Sequence, residues 1–180
     1  IHNNVGNFYD RNTVFSNLNF DSFISLDYMS DVERNPLGWA IDGMLTEEIL
    51  LCLDSSEGND FVYTISVQAH GKYPSTPVSD NNLIDVSEYI SDLEIDGFEY
   101  YVNKLYEVDL FIGELLGELS KRDEETIVVM YGDHLPGFEF EESDLSNENL
   151  FQTEYVIWSN YDTGISTERV DLYAYELYSY

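Results

Sequence analysis

The stretch Thr126-Ile-Val-Val-Met-Tyr-Gly-Asp133-His134 decides the fold. An apolar, β-branched run without alternation predicts a strand buried on both faces, as in a parallel sheet covered by helices. Gly132 lets the backbone turn where the strand ends. Asp133 and His134 then fall at the carboxyl edge of the sheet, where open α/β folds hold ligands. A carboxylate oxygen beside an imidazole nitrogen suits Zn²⁺ or Mn²⁺, although two donors do not make a site by themselves. The plainer alternative is a capping aspartate followed by a loop histidine.

Upstream of this stretch, Tyr101, Leu105, Val108, Ile112, Leu115 and Leu119 recur at helical spacing, widened by Phe111 and Leu116. They predict a long helix over 98–119 that packs on the sheet, with Glu99, Lys104, Glu107, Glu114 and Glu118 largely off that face. Earlier still, residues 60–67 form a second β-like run that leads into Gln68-Ala-His70-Gly71. Strand, helix, strand gives a right-handed parallel crossover, which brings His70 and His134 to one rim of the sheet. A single histidine after a strand is an ordinary loop residue; two such strand ends in a chain with three histidines carry more information.

Further out, Asn35-Pro-Leu-Gly38 is a turn signal. Ile41, Leu45, Ile49 and Leu53 then mark a helix, with Leu50 and Cys52 on its apolar face and Asp42, Glu47 and Glu48 suiting its amino end. Residues 1–38 show no sustained period and read as loop. Residues 75–97 read as a long connection with a short helix over 86–93. Residues 153–158 read as a strand and 170–180 as the start of an amphipathic helix. The fold class is therefore α/β, a mostly parallel sheet flanked by helices, within one domain unit of 180 residues.

Composition narrows the function. Apolar residues make up 43% and aromatics 15%, too much for a disordered acidic tail. A formal net charge of -29 argues against nucleic acid as a partner and against docking on anionic lipid through the acidic surface. No EF-hand spacing is present, which weakens a calcium reading of the acid. Cys52 is the one cysteine, a small core residue that leaves the redox compartment open. No apolar run approaches the length of a membrane span and no signal peptide is visible. Arg11 is one of seven basic residues. Among so many acids it reads first as a surface ion pair, with an anion clamp as the alternative.

Four pieces occur in a fixed order: Tyr63-Thr-Ile-Ser-Val-Gln-Ala-His70-Gly, the helix over 100–119, Val129-Met-Tyr-Gly-Asp133-His134-Leu-Pro-Gly, and Thr153-Glu-Tyr-Val-Ile-Trp158. The set resembles the lipoteichoic acid synthase-like, phosphoglycerol transferase branch of the sulfatase and alkaline phosphatase superfamily over nearly the whole chain. The resemblance implies an α/β catalytic domain on the extracellular face of the cell membrane, tethered in the parent protein by a membrane anchor. It implies that Asp133 and His134 bind a divalent metal, Mn²⁺ first, with Zn²⁺ or Ca²⁺ as alternatives. It implies that His2, Tyr9, Arg11 and His70 bind substrate, with Arg11 and His70 at the phosphoryl group. The family's nucleophilic threonine and a further glutamate ligand would precede Ile1, so residues 1–180 read as the C-terminal portion of the catalytic domain.

The reaction implied is transfer of phosphoglycerol from a phospholipid head group to a polyol or glycan acceptor. The alternatives are hydrolysis of a phosphate or sulfate ester at the same site, and an inactive truncated module. Tyr9 falls where some relatives have tryptophan. The pattern departs from the synthases at Asn3, where glycine is commoner, and at Phe138, which stands near a substrate-contacting serine of some synthases. The last departure argues against strict lipoteichoic acid synthase specificity.

Overall fold

A computed structural model describes residues 1–79, 82–90, 94–164 and 168–179. Its regular elements are α1 (Arg11–Asn17), α2 (Met44–Asp54), α3 (Ile95–Leu119), β1 (Ile127–Tyr131) and β2 (Tyr155–Ser159), with short 3-10 turns between them. At 1.5 Å per residue, α3 is roughly 37 Å long. Its inner face packs Phe111, Leu115 and Leu119 against Leu45 and Ile49 of α2. Val128 of β1 and Trp158 of β2 close over this core. No helix among the described residues is long and apolar enough to cross a membrane.

The face of α3 that turns inward differs from the apolar stripe at its amino half. Leu105 is exposed, whereas Tyr100, Asn103 and Lys104 are buried. The reason is polar bonding: Asn103 accepts from the Leu83 and Ile84 amides at 2.7 and 2.9 Å and donates to the Ile84 carbonyl at 2.9 Å. The long 75–97 connection is thus fastened to the helix by one amide side chain. Lys104 pairs with Glu107 at 2.7 Å. The short helix expected over 86–93 is a turn at 87–89 as far as residue 90; its last three positions lie outside the described residues. At the other end of the chain, a 3-10 turn over Ala174–Ser179 stands where an amphipathic helix is expected.

The mostly parallel sheet is not what the described residues form. β1 pairs with β2 in antiparallel register, from Ile127 opposite Ser159 to Tyr131 opposite Tyr155. Residues 60–67 lie extended but do not ladder with β1. Their hydrogen bonds go elsewhere: Tyr63 accepts from the Ile1 nitrogen at 2.7 Å, the Ile65 amide donates to Ile1 at 3.0 Å, and the Val67 and Gln68 amides donate to the Asp42 carboxylate. Parallel pairing survives as two bridges, from His2 to Ser25 and from His2 to Ile65. The expected burial of β1 on both faces is also corrected. Val128 and Met130 turn toward the core, while Ile127, Val129 and Tyr131 remain exposed because α2 and α3 cover only one side.

Local sequence explains the joints. Asn160 follows β2 directly. Its amide donates to Glu124 at 2.8 Å and to Leu119 at 3.3 Å, and its oxygen accepts from Thr126 at 2.8 Å. One side chain thus ties the end of α3 to the start of β1 and the end of β2. Nearby, Arg122 reaches the end of α2 through Asp54 at 2.7 Å. Within residues 1–38 the structure contains α1, which the lack of periodicity hides: its one buried residue is Phe15, packed on Phe20, Phe23 and Tyr63. Leu45 is completely buried at the α2–α3 contact. We expect Leu45→Ala to lower stability by about 2–5 kcal/mol, read as a shift in the urea unfolding midpoint without a change in slope.

Candidate functional site

Phe8 is the hub of the site. Its ring centroid lies 6.3 Å from His2, 6.3 Å from His70, 6.3 Å from Trp39 and 4.5 Å from Tyr9. The Arg11 guanidinium carbon lies 5.9 Å from the Phe8 ring and 5.8 Å from the Tyr9 ring. Four of the residues singled out in the sequence, His2, Tyr9, Arg11 and His70, are therefore brought together. Phe8 and Trp39, which organise them, were not among those residues. Phe8 had a signal, since it opens the Phe-Tyr-x-Arg run. Trp39 had one in the turn before it, where the Asn35 side-chain oxygen accepts from the Leu37 and Trp39 amides, both at 3.0 Å. That turn sets the indole 4.8 Å from the His70 ring.

The backbone presenting these groups is held in an uncommon shape. Tyr9 and Asp10 both adopt left-handed conformations, with φ of 55° and 54°. Consecutive non-glycine residues of this kind are costly and concentrate at functional sites. Here they leave the Tyr9 ring 72% exposed and start α1 so that Arg11 faces inward.

Arg11 makes no ion pair with a carboxylate among the described residues, which corrects the surface-pair expectation. Its Nη1 donates instead to His2 Nε2 at 2.6 Å. His2 is fully buried, and its Nδ1 lies 3.0 Å from the Ile65 carbonyl oxygen. The tautomer that satisfies both contacts carries the proton on Nδ1, donates it to Ile65 and leaves the Nε2 lone pair for Arg11. Burial first, then the neighbouring Arg11 charge, holds His2 down at about 4, against the bond to Ile65. His2 is thus neutral at pH 7 and sits behind Arg11.

His70 Nδ1 lies 2.6 Å from the Gly71 carbonyl oxygen. With its proton donated there, Nε2 is left with its lone pair.

Asp133 and His134 follow β1 as the sequence predicts. Their place is fixed by the Gly132 amide donating to Glu154 at 3.2 Å and by Thr153 Oγ1 donating to the Gly132 carbonyl at 2.6 Å. Both side chains are exposed, at 75% and 67%, and His134 Nε2 lies 3.7 Å from Asp133 Oδ1. His134 Nδ1 is 2.7 Å from the Leu135 carbonyl oxygen. A proton donated there orients Nε2 as an electron-pair donor on the Asp133 side, the arrangement of a metal-binding histidine. The pair therefore fits a divalent cation as two of its ligands. No group of three or more such side chains with metal-site geometry occurs among the described residues. Nor does a hydrogen bond or ring contact join the pair to the Phe8 cluster among them.

The two histidine-bearing loops are instead coupled through rings. Phe138, four residues after His134, is stacked between Phe98 of α3 at 3.9 Å and Tyr73, three residues after His70, at 4.4 Å. Gly97 permits the approach: a β-carbon there would lie 3.2 Å from the Pro74 carbonyl oxygen and 3.3 Å from the Phe138 ring.

The candidate site thus has two parts among the described residues: Arg11 with His2 and His70 around Phe8, and the Asp133–His134 pair on a separate loop. The chain belongs to the sulfatase family: the Sulfatase family model matches residues 1–170, and that family has the α/β, alkaline phosphatase-like fold. The chain is 31% identical over 136 residues to a protein of Rhizobium meliloti (strain 1021) named as a cyclic beta-1,2-glucan modification protein. The match covers 76% of this chain and 21% of that relative, so the chain spans about a fifth of the relative's length. No solved structure matches.

The neutral, buried His2 makes a testable contribution to stability. Its folded pKa is depressed, so the unfolded chain binds more protons between about 4 and the ordinary histidine value of 6.5. The contribution is present above pH 6.5 and is lost as pH falls through that window. We expect His2→Gln to reduce the difference in unfolding free energy between pH 7 and pH 5 relative to the unmodified chain, measured by urea unfolding at both.

Proposed function

We propose that residues 1–180 are the C-terminal portion of a sulfatase-like catalytic domain that transfers a phosphoglycerol or related phosphoryl group from a lipid donor to a glycan or polyol acceptor. The observation that carries this reading is Arg11. In a chain with 36 acids and seven bases, its guanidinium pairs, among the described residues, with an imidazole and two aromatic rings and with no carboxylate. A cation kept clear of carboxylates is available to an anionic oxygen. The relative named for glucan modification supports a glycan acceptor. A lipid donor requires a membrane surface, and in this reading that surface is the extracellular face of the cell membrane.

Each side chain then has a task. Arg11 donates to the phosphoryl oxygens, and neutral His2 fixes the direction of its Nη1. Asp133 and His134 hold the divalent cation, Mn²⁺ in this reading with Zn²⁺ or Ca²⁺ as substitutes. When bound, the cation supplies positive charge for a phosphoryl oxygen. The nucleophile is a threonine on chain outside these 180 residues. Its oxygen bonds to phosphorus as the bond to the lipid oxygen breaks, and the proton that the threonine hydroxyl gives up passes to the lipid oxygen. An acceptor hydroxyl then bonds to phosphorus, displaces the threonine oxygen and gives its proton to His70 Nε2, which returns one to the threonine. Tyr9 covers the open side of the arginine.

A second reading has its own support in the family match, since sulfatases cleave esters with water. Product analysis separates the two. With a phosphoglycerol lipid, glycan and the full-length protein, transfer yields a phosphoglycerol-bearing glycan, and hydrolysis yields only free glycerol phosphate.

We expect Arg11→Ala to lower kcat by a factor of about 10²–10³ and Arg11→Lys to restore only part of it. We also expect chelation to abolish turnover, with Mn²⁺ restoring it in the unmodified protein and not in Asp133→Asn. Full activity in Asp133→Asn after chelation would remove the metal role.

A further inference from the structure

A cavity of about 480 Å³ opens next to the Phe8 cluster, and its chemistry is the opposite of that cluster's. Gly6, Asn7, Asn12, Ser25, Asp27 and Tyr28 line it. The wall is shared with the site. Asn12 follows Arg11 in α1, its amide donates to the Gly6 carbonyl at 3.0 Å, and Ser25 is the bridge partner of His2.

No cationic side chain is among the described residues that line this cavity. Asp27 Oδ2 accepts from the Gly6 amide and from Ser25 Oγ, both at 2.8 Å. The Gly6 bond first, then the Ser25 bond, holds the carboxyl below its ordinary range and therefore ionised. A carboxylate has more acceptor sites than these two bonds fill. The Asn12 side chain uses its oxygen to accept from Thr13, which leaves its NH₂ group to donate. The ring of Tyr28 is 80% exposed on the 3-10 turn that carries Asp27.

An aromatic face, amide donors and a carboxylate acceptor around one hollow suit a ligand with an apolar ring face and many hydroxyl groups. An anion is disfavoured there by Asp27. We infer that this cavity binds a sugar ring of the acceptor glycan: the pyranose face lies on Tyr28, its hydroxyls bond to Asp27 and Asn12, and the reacting hydroxyl is directed across the shared wall toward Arg11. This assignment of the acceptor rests on the transfer reading above; the sugar binding itself does not.

The test is calorimetric titration of the full-length protein with a neutral β-1,2-linked gluco-oligosaccharide and, separately, with inorganic phosphate. Tyr28 is exposed and outside the phosphate cluster, so Tyr28→Ala leaves the fold and phosphate binding in place. We expect saturable oligosaccharide binding that weakens by about tenfold or more in Tyr28→Ala, with phosphate binding equal in the two proteins. Asn12→Ala is expected to weaken the oligosaccharide alone as well. Absence of saturable oligosaccharide binding, or equal binding by Tyr28→Ala, would overturn the inference. Oligosaccharide binding that follows this pattern without any phosphate binding would support the cavity and count against the transfer reading, so the two fail separately.

Discussion

The carboxylate of Asp42 holds together segments that have little else in common. It is fully buried, and its Oδ1 accepts from Asn3 Nδ2 at 2.7 Å, the Val67 amide at 3.2 Å and the Gln68 amide at 3.3 Å. The Asp42 amide in turn donates to Gln68 Oε1 at 2.7 Å. Gln68 Nε2 donates to Glu107 of α3, and the Gln68 carbonyl accepts from Asn35 at 3.1 Å. Asn3 is next to His2, Gln68 is two residues before His70, and Asn35 sets Trp39. One buried acid therefore fixes the relative positions of the groups around Phe8. Burial pushes its carboxyl up, opposed by these bonds. Such a group is expensive to bury, and removing any one donor leaves the remainder poorly compensated. The polar network orders the amino-terminal half, where regular secondary structure is sparse.

The aromatic stack plays the matching role on the other side. Phe138 joins the loop after β1 to the loop after His70 by ring contact on both its faces, with α3 as the backing. The Asp133–His134 pair and the Phe8 cluster are thus positioned by different forces. Polar bonds define the cluster to within hydrogen-bond tolerances. Stacked rings define the Asp133–His134 loop more softly, because ring contacts depend less on direction. The high exposure of Asp133 and His134 fits a pair whose orientation is supplied by local carbonyl contact and not by surrounding protein.

What the sequence made legible was set by periodicity and by motif. Helical spacing found α2 and α3, and apolar runs found β1 and β2, because those elements bury repeating side chains. α1 escaped because seven residues with one buried phenylalanine have no period to read. The amino half of α3 departs from its hydropathy pattern because Asn103 and Lys104 turn inward through polar bonds, which such a pattern does not register. Residues 60–67 look like a strand by composition, yet their partners are single contacts with distant residues such as Ile1 and Asp42. Pairing of that kind is decided by tertiary geometry. The proposed site residues rest on a motif set, and the structure gathers four of them, His2, Tyr9, Arg11 and His70, around Phe8. Phe8 and Trp39 carry only local signals, the run Phe8-Tyr-Asp-Arg11 and the turn before Trp39, and nothing in the spacing of the Asp42 network announces that three loops meet there.

The exposed face of β1 has a consequence for the chain in solution. Ile127, Val129 and Tyr131 form an apolar strip, and among the described residues neither strand has a second hydrogen-bonded neighbour. Such strands offer a template to a second copy. The net charge of -29 opposes that meeting by mutual repulsion at long range. The repulsion extends over about 30 Å at 0.01 M salt and about 8 Å at physiological ionic strength. Colloidal behaviour of this chain is therefore a contest between a sticky edge and a screened charge, and the salt concentration of the buffer sets its outcome.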